Sequence, residues 1–175
     1  MTNDFIIMIA AGAFAGLVAF LLRHSARKLL RLDLPKWLMP AAAGLAMLGV
    51  TIWGEYHWFT QARGGLPAGA VVLQSNAEAT PWRPWSYLWP VTNRFVALDT
   101  ANRAQPAEGV VVANLYLVAR WQPVQPVTVA YDCTGHRQAI LGGEAAVNAD
   151  GSLTAGKWLP APMPDAGLNA ACTGG

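Results

Sequence analysis

Apolar positions are crowded toward one end of the chain and thinned into an alternating pattern toward the other. Phe5 to Leu22 (FIIMIAAGAFAGLVAFLL) runs 18 residues without a charge, the shortest length that crosses a hydrocarbon layer at about 1.5 Å per residue. A second apolar run, Trp37 to Trp58, carries one charge at Glu55, and Trp37, Trp53, Tyr56 and Trp58 sit where aromatic side chains meet the membrane interface. Two membrane-spanning helices are predicted. A cleaved signal peptide would begin with positive charge, whereas Met1 to Asp4 supplies none. The first helix is therefore expected to remain as an anchor.

Beyond Phe59 the pattern changes. This part holds 12 glycines and 10 prolines in 116 residues, a density that breaks long helices. Strands are predicted at Ala70–Gln74, Arg94–Asp99, Val110–Trp121, Val127–Asp132, Arg137–Leu141 and Ser152–Leu159. In the longest of these Leu115, Leu117 and Ala119 alternate with Tyr116, Val118 and Arg120, the period of a half-buried strand. Asp150-Gly151, between Val147 and Leu153, marks a hairpin turn. The expected architecture is a transmembrane helical hairpin over residues 1–59, with spans at 5–22 and 37–58, followed over 60–175 by a small antiparallel β sandwich or barrel: a membrane-anchored all-β domain.

Charge orients this arrangement. The segment between the spans, 23–36, holds Arg23, Arg27, Lys28, Arg31 and Lys36 against Asp33, and the positive-inside rule assigns it to the cytoplasm. Both the N-terminus and the C-terminal domain then lie outside, in the periplasm if the membrane is a bacterial inner membrane. Basic residues in this segment also suit anionic headgroups, with Leu29, Leu30, Leu32 and Leu34 toward lipid. The region after Phe59 has seven basic and seven acidic residues, which gives no electrostatic case for nucleic acid.

Cys133 and Cys172 are the only cysteines and both follow the second span. A disulfide between them fits an oxidising compartment and would tie down a tail, Leu159 to Gly175, that looks too rich in proline, glycine and alanine to hold itself. The rival reading makes Cys133-Thr-Gly-His136 half of a metal or redox site. Its weakness is that a structural site needs four ligands and His136 is the one histidine of the region.

Small residues repeat at helical spacing in both spans: Gly12, Gly16 and Ala19 in the first, Ala42, Ala46 and Gly49 in the second. In an antiparallel hairpin Gly12 is expected opposite Gly49 and Ala19 opposite Ala42, with close packing between them; a partner helix is the other use of these stripes. Asp4, Glu55 and His57 gather at the outer end of the hairpin, where interfacial solvation is expected rather than a proton relay.

The segment Thr80 to Thr92 is the densest aromatic stretch, with Trp82, Trp85, Tyr87 and Trp89 interrupted by prolines and flanked by Arg83 and Arg94. The prolines favour an extended chain with a fixed turn. Such a strip suits a partner or ligand surface; it equally suits packing under the sheet or an aromatic belt in the headgroup layer. No nucleophile elbow, phosphate loop, zinc motif or acidic calcium loop is present, and a triad from a serine, His136 and Asp99 is no more than coincidence of composition. The pattern implies no cofactor and no metal. The expectation is a non-enzymatic inner-membrane protein that presents its β domain for protein–protein interaction, as an accessory or assembly subunit of a membrane complex. The alternative is a small-ligand or sensing domain with a pocket of Trp82, Trp85, Trp89 and Tyr116.

Overall fold

The computed structural model describes residues 2–31, 35–161 and 164–173, and the chain divides into two compact units, Met1–Trp58 and Phe59–Gly175. Expectations for Leu32, Leu34 and the side chain of Leu30 fall outside the described parts.

Two long helices are present. α1 (Thr2–Ser25) passes into one π-helical turn, Ala26–Leu30, which ends at Arg31 with a left-handed φ of 54°. The basic segment thus prolongs the first helix by about two turns past the apolar run, as its spacing allows. α2 spans Leu38–Gly64. Windows of 18 residues in these helices have mean hydropathies of 2.6 and 1.3 and are only 11% and 6% buried. Both helices are long and apolar enough to cross a membrane, and their large side chains (Phe5, Ile6, Phe14, Phe20, Leu45) point outward instead of filling a protein core.

The second unit is a single antiparallel sheet that curls into a half-barrel, where two facing sheets or a closed barrel were the sequence expectation. Its strands are β1 (Ala70–Glu78), β2 (Val91–Asp99), β3 (Ala104–Ala107), β4 (Val110–Ala119), β5 (Gln125–Asp132), β6 (Arg137–Leu141) and β7 (Leu159–Pro160). Their order is β1-β2-β4-β5-β6-β7, with β3 also paired to β4. Sandwich packing gives each sheet one inner face; here both faces of the central strands are buried, Leu98, Val111, Ala113 and Val129 on one side and Phe95, Ala97, Val118 and Ala130 on the other. Within this unit the Phe59 ring meets Phe95 edge-on at 5.1 Å.

The tail is the largest departure from expectation. It forms α3 (Ala166–Thr173), whose Leu168 and Ala171 join Leu98, Val111, Val129 and Tyr131 in the core. Asp165 caps it, its Oδ1 accepting from the Gly167 and Leu168 amides at 2.7 and 3.1 Å. Gly167 is required there because a Cβ would come within 2.6 Å of the Tyr131 hydroxyl. The expected disulfide is present: Cys133 and Cys172 are joined, with Cα atoms 5.8 Å apart, so α3 is bolted to the residue that follows β5.

The expected strand at Ser152–Leu159 is absent. Leu153 makes one bridge with Val147, and only Leu159–Pro160 pairs, with β6. The hairpin signal at Asp150-Gly151 is realised as a turn: the Gly151 amide donates to Asn148 O at 3.0 Å and the Asn148 amide to Ser152 O at 2.8 Å. Gly151 has φ +79°, the left-handed position that follows a type I turn in a three-residue hairpin loop.

Candidate functional site

The aromatic segment is folded around a serine. Ser86 is fully buried, and its Oγ accepts from the Thr80 amide at 2.9 Å while donating to Arg83 O at 2.6 Å. Pro84–Tyr87 form one 3-10 turn, with proline at its first position where no amide is needed. The expected extended chain is therefore a compact loop. With hydrogen bonds at its centre, its large side chains point outward: Trp82, Leu88 and Trp89 are 73%, 72% and 64% exposed, Tyr87 is exposed, and Trp85 is half-buried.

The sheet adds a second segment that sequence order conceals. This loop joins β1 to β2, and the connection Arg120–Val124 joins β4 to β5. Because β2 pairs with β4, with Arg94 opposite Ala119, and the Arg120 amide donates to Asn93 O at 2.9 Å, the two connections are neighbours at one end of the sheet. Trp121 (53% exposed) and Val124 therefore extend the aromatic rim. Trp121 has φ +70°, a region that bulky residues rarely enter and that marks strain held by the surroundings. Arg120 lies over its ring at 4.6 Å.

Charge is distributed unevenly about this rim. Arg83, Arg94 and Arg120 lie on or beside the two connections; Glu78, the acidic residue at that end, is held by Arg94 at 3.3 Å. Asp99, Glu108, Asp132, Asp150 and Asp165 belong to the opposite end, and four of them, all but Glu108, serve as turn or helix caps. Asp99 accepts from the Ala101 and Asn102 amides at 3.2 and 3.1 Å, which commits the carboxylate of the imagined triad. Asp132 accepts at one oxygen from the Thr134 and Gly135 amides and at the other from Arg137 at 2.5 Å. Burial would raise its pKa, but the Gly135 amide, Arg137 and Thr134 outweigh that and hold it at about 2. Tyr131 beneath α3 is pushed up to about 12, by burial first and by Asp165 second.

A shallow groove of about 360 Å³ lies elsewhere on the β unit, lined by Pro106, Val112, Thr128, Leu141, Ala145 and Val147 among others. None of Trp82, Trp85, Trp89 or Tyr116 lines it; Tyr116 lies on β4 beside Ala97 of β2. The Cys133-Thr-Gly-His136 segment is the β5–β6 turn, and its thiol is consumed by the disulfide. Among the described residues no cluster of three metal-binding side chains occurs.

In the helical unit Gly12 and Ala19 are buried. Gly12 receives the Met47 side chain, whose Cγ lies 2.8 Å from where a Cβ would stand, and not Gly49. Gly16 and Gly49 have nothing within 4 Å of that position, and Ala42 and Ala46 are half-buried. Glu55 is buried rather than solvated at an interface, while Asp4 and His57 are exposed. The His57 ring stacks on Trp53 at 4.0 Å.

These features define a class: two apolar helices carrying a disulfide-stapled β half-barrel with an aromatic rim. The chain matches no protein-family profile, no curated protein and no solved structure at a significant level, so the reading of function rests on geometry alone.

Proposed function

We propose that the chain is a non-enzymatic inner-membrane protein, N-terminus and β domain in the periplasm, that presents the domain to another envelope protein as an accessory or assembly subunit of a membrane complex. The basic segment between the helices supports this orientation, and the disulfide fits an oxidising compartment.

The observation that carries the reading is the unequal treatment of the sheet's edges. An exposed edge strand offers unpaired amides and carbonyls to another chain, and proteins blunt edges with proline, charge or brevity. β7 has two residues and ends in Pro160, and β3 has four with Pro106 among them. β1 at the other edge is nine residues long, has no proline and carries no charge before Glu78. Its pairing with β2 is interrupted by two register shifts, between Val72 and Gln74 and between Asn76 and Ala77. A partner segment that adds to β1 would be recognised by its backbone.

The test is co-purification in mild detergent with Val71→Lys and Ser75→Lys, exposed positions on β1 where a lysine blunts the edge without entering the core. A membrane or periplasmic protein captured by the wild type should be lost from the double variant while the fold is unchanged. Equal capture by both would refute use of this edge.

A further inference from the structure

The aromatic rim is a separate surface from the β1 edge. We propose that it docks on the anionic outer surface of the lipid bilayer, so that the β unit lies against the membrane with its β1–β2 and β4–β5 connections in the headgroup layer. The inference rests on the membrane anchoring proposed above and adds to it the orientation of the domain.

Two observations support the lipid surface as occupant. The first is composition: the rim joins Trp82, Tyr87 and Trp89 with Leu88, Trp121 and Val124, all exposed, and indole and phenol rings on an apolar body are the side chains that settle at the headgroup level. The second is charge. Arg83, Arg94 and Arg120 surround the rim against Glu78 alone, whereas the other end holds Asp99, Glu108, Asp132, Asp150 and Asp165 against Arg103 and Arg137, in a unit whose total charge is neutral. A neutral body polarised in this way turns its basic end toward an anionic surface.

Local structure fits the role. The loop's backbone is held from within at Ser86 while Trp82, Tyr87 and Leu88 stay exposed, and Trp121 has a backbone conformation that tryptophan does not adopt by preference. A core-packing role would have placed these rings beneath the sheet.

The test uses the full chain in nanodiscs. Both natural cysteines are in the disulfide, so single cysteines introduced as Leu88→Cys, Val124→Cys and, at the opposite end, Glu108→Cys accept a nitroxide without reduction. In discs containing phosphatidylglycerol, collisions with a water-soluble nickel relaxant should be about tenfold rarer at 88 and 124 than at 108, with oxygen collisions enriched, as for groups held in the headgroup layer. Replacing the anionic lipid by phosphatidylcholine, or adding Arg83→Glu, should reduce that difference. Equal access at all three sites, in a chain that has incorporated into the discs, overturns the rim proposal and leaves anchoring intact. Shielding at 88 that appears only when envelope proteins are added overturns it in favour of a protein occupant. Failure of the chain to incorporate at all would refute anchoring, a separate result.

Discussion

Cutting the bond between Cys133 and Cys172 should undock α3 while the sheet stays folded. The bonded residues are 39 apart in sequence, and in the chain-entropy treatment closing a loop of that length stabilises the folded state by about 4 kcal/mol. What remains to hold α3 is limited. Burial of Leu168 contributes about 2 kcal/mol and the Asp165 cap about 1 kcal/mol, with one hydrogen bond from Arg103 Nη1 to Ala171 O at 2.8 Å. Against these stands the ordering of an eight-residue helix, too short to persist alone. In the full chain carrying Cys133→Ser and Cys172→Ser, in detergent micelles, amide hydrogen exchange at Leu168–Cys172 should approach the unprotected rate. Protection in β2 and β4 should persist, lowered by no more than about 4 kcal/mol. If the α3 amides keep their protection in the double variant, packing and the cap hold the helix and the reasoning fails. If the whole sheet loses protection with α3, the tail is part of one cooperative unit and the local picture is wrong.

Three further outcomes follow from individual side chains. The Asp132 carboxyl, at about 2 when folded against an ordinary 3.8, contributes stability that is complete above pH 4 and fades as the pH falls toward 2; allowing for a half-exposed Arg137, the contribution is about 2 kcal/mol, and urea melts of Asp132→Asn should lack that acid-limb slope. Ser86→Ala leaves the buried Thr80 amide and Arg83 carbonyl without their partner and should cost about 2–3 kcal/mol, seen as faster exchange across 80–89; an unchanged exchange pattern would show that the prolines alone shape the loop. Thr80 Oγ1 is buried with no hydrogen-bond partner among the described residues, so Thr80→Val, equal in shape, should be neutral or raise stability by about 1 kcal/mol, and a loss in thermal melts would argue for a bond not seen here.

Sequence pattern revealed most of the elements whose periodicity is strong. The apolar runs gave α1 and α2, and alternation from Val110 gave β4, since a central strand must bury side chains in step with its pleat. It was blind to α3 because AGLNAACT has only Leu168 as a large apolar residue; the signal that was available is Asp165 as an N-cap ahead of alanines. β3, with the sequence AQPA, has no pattern at all and exists because β4 offers it an edge. The predicted strand at Ser152–Leu159 failed because Gly151, Gly156 and their neighbours are spent on turns. As for the rim, Trp82 to Trp89 stood out by composition, whereas Trp121 and Val124 joined it only through the β2–β4 pairing, a long-range fact no local window contains. In the helical unit Gly12 and Ala19 are buried and Met47 fills the space at Gly12, because a flexible side chain can substitute for a facing small residue.

The serine at the centre of the aromatic loop separates what folds the loop from what the loop displays. Since Ser86 and the prolines of the loop hold the backbone, substitutions at Trp82, Tyr87 or Leu88 alter the displayed surface at little cost to the scaffold. Lineages carrying this domain are therefore free to exchange those rings for other large side chains, tuning how deeply or how tightly the surface engages its counterpart, while Ser86 itself should stay invariant. Divergence concentrated on the rim around a constant serine is the evolutionary trace such a design leaves.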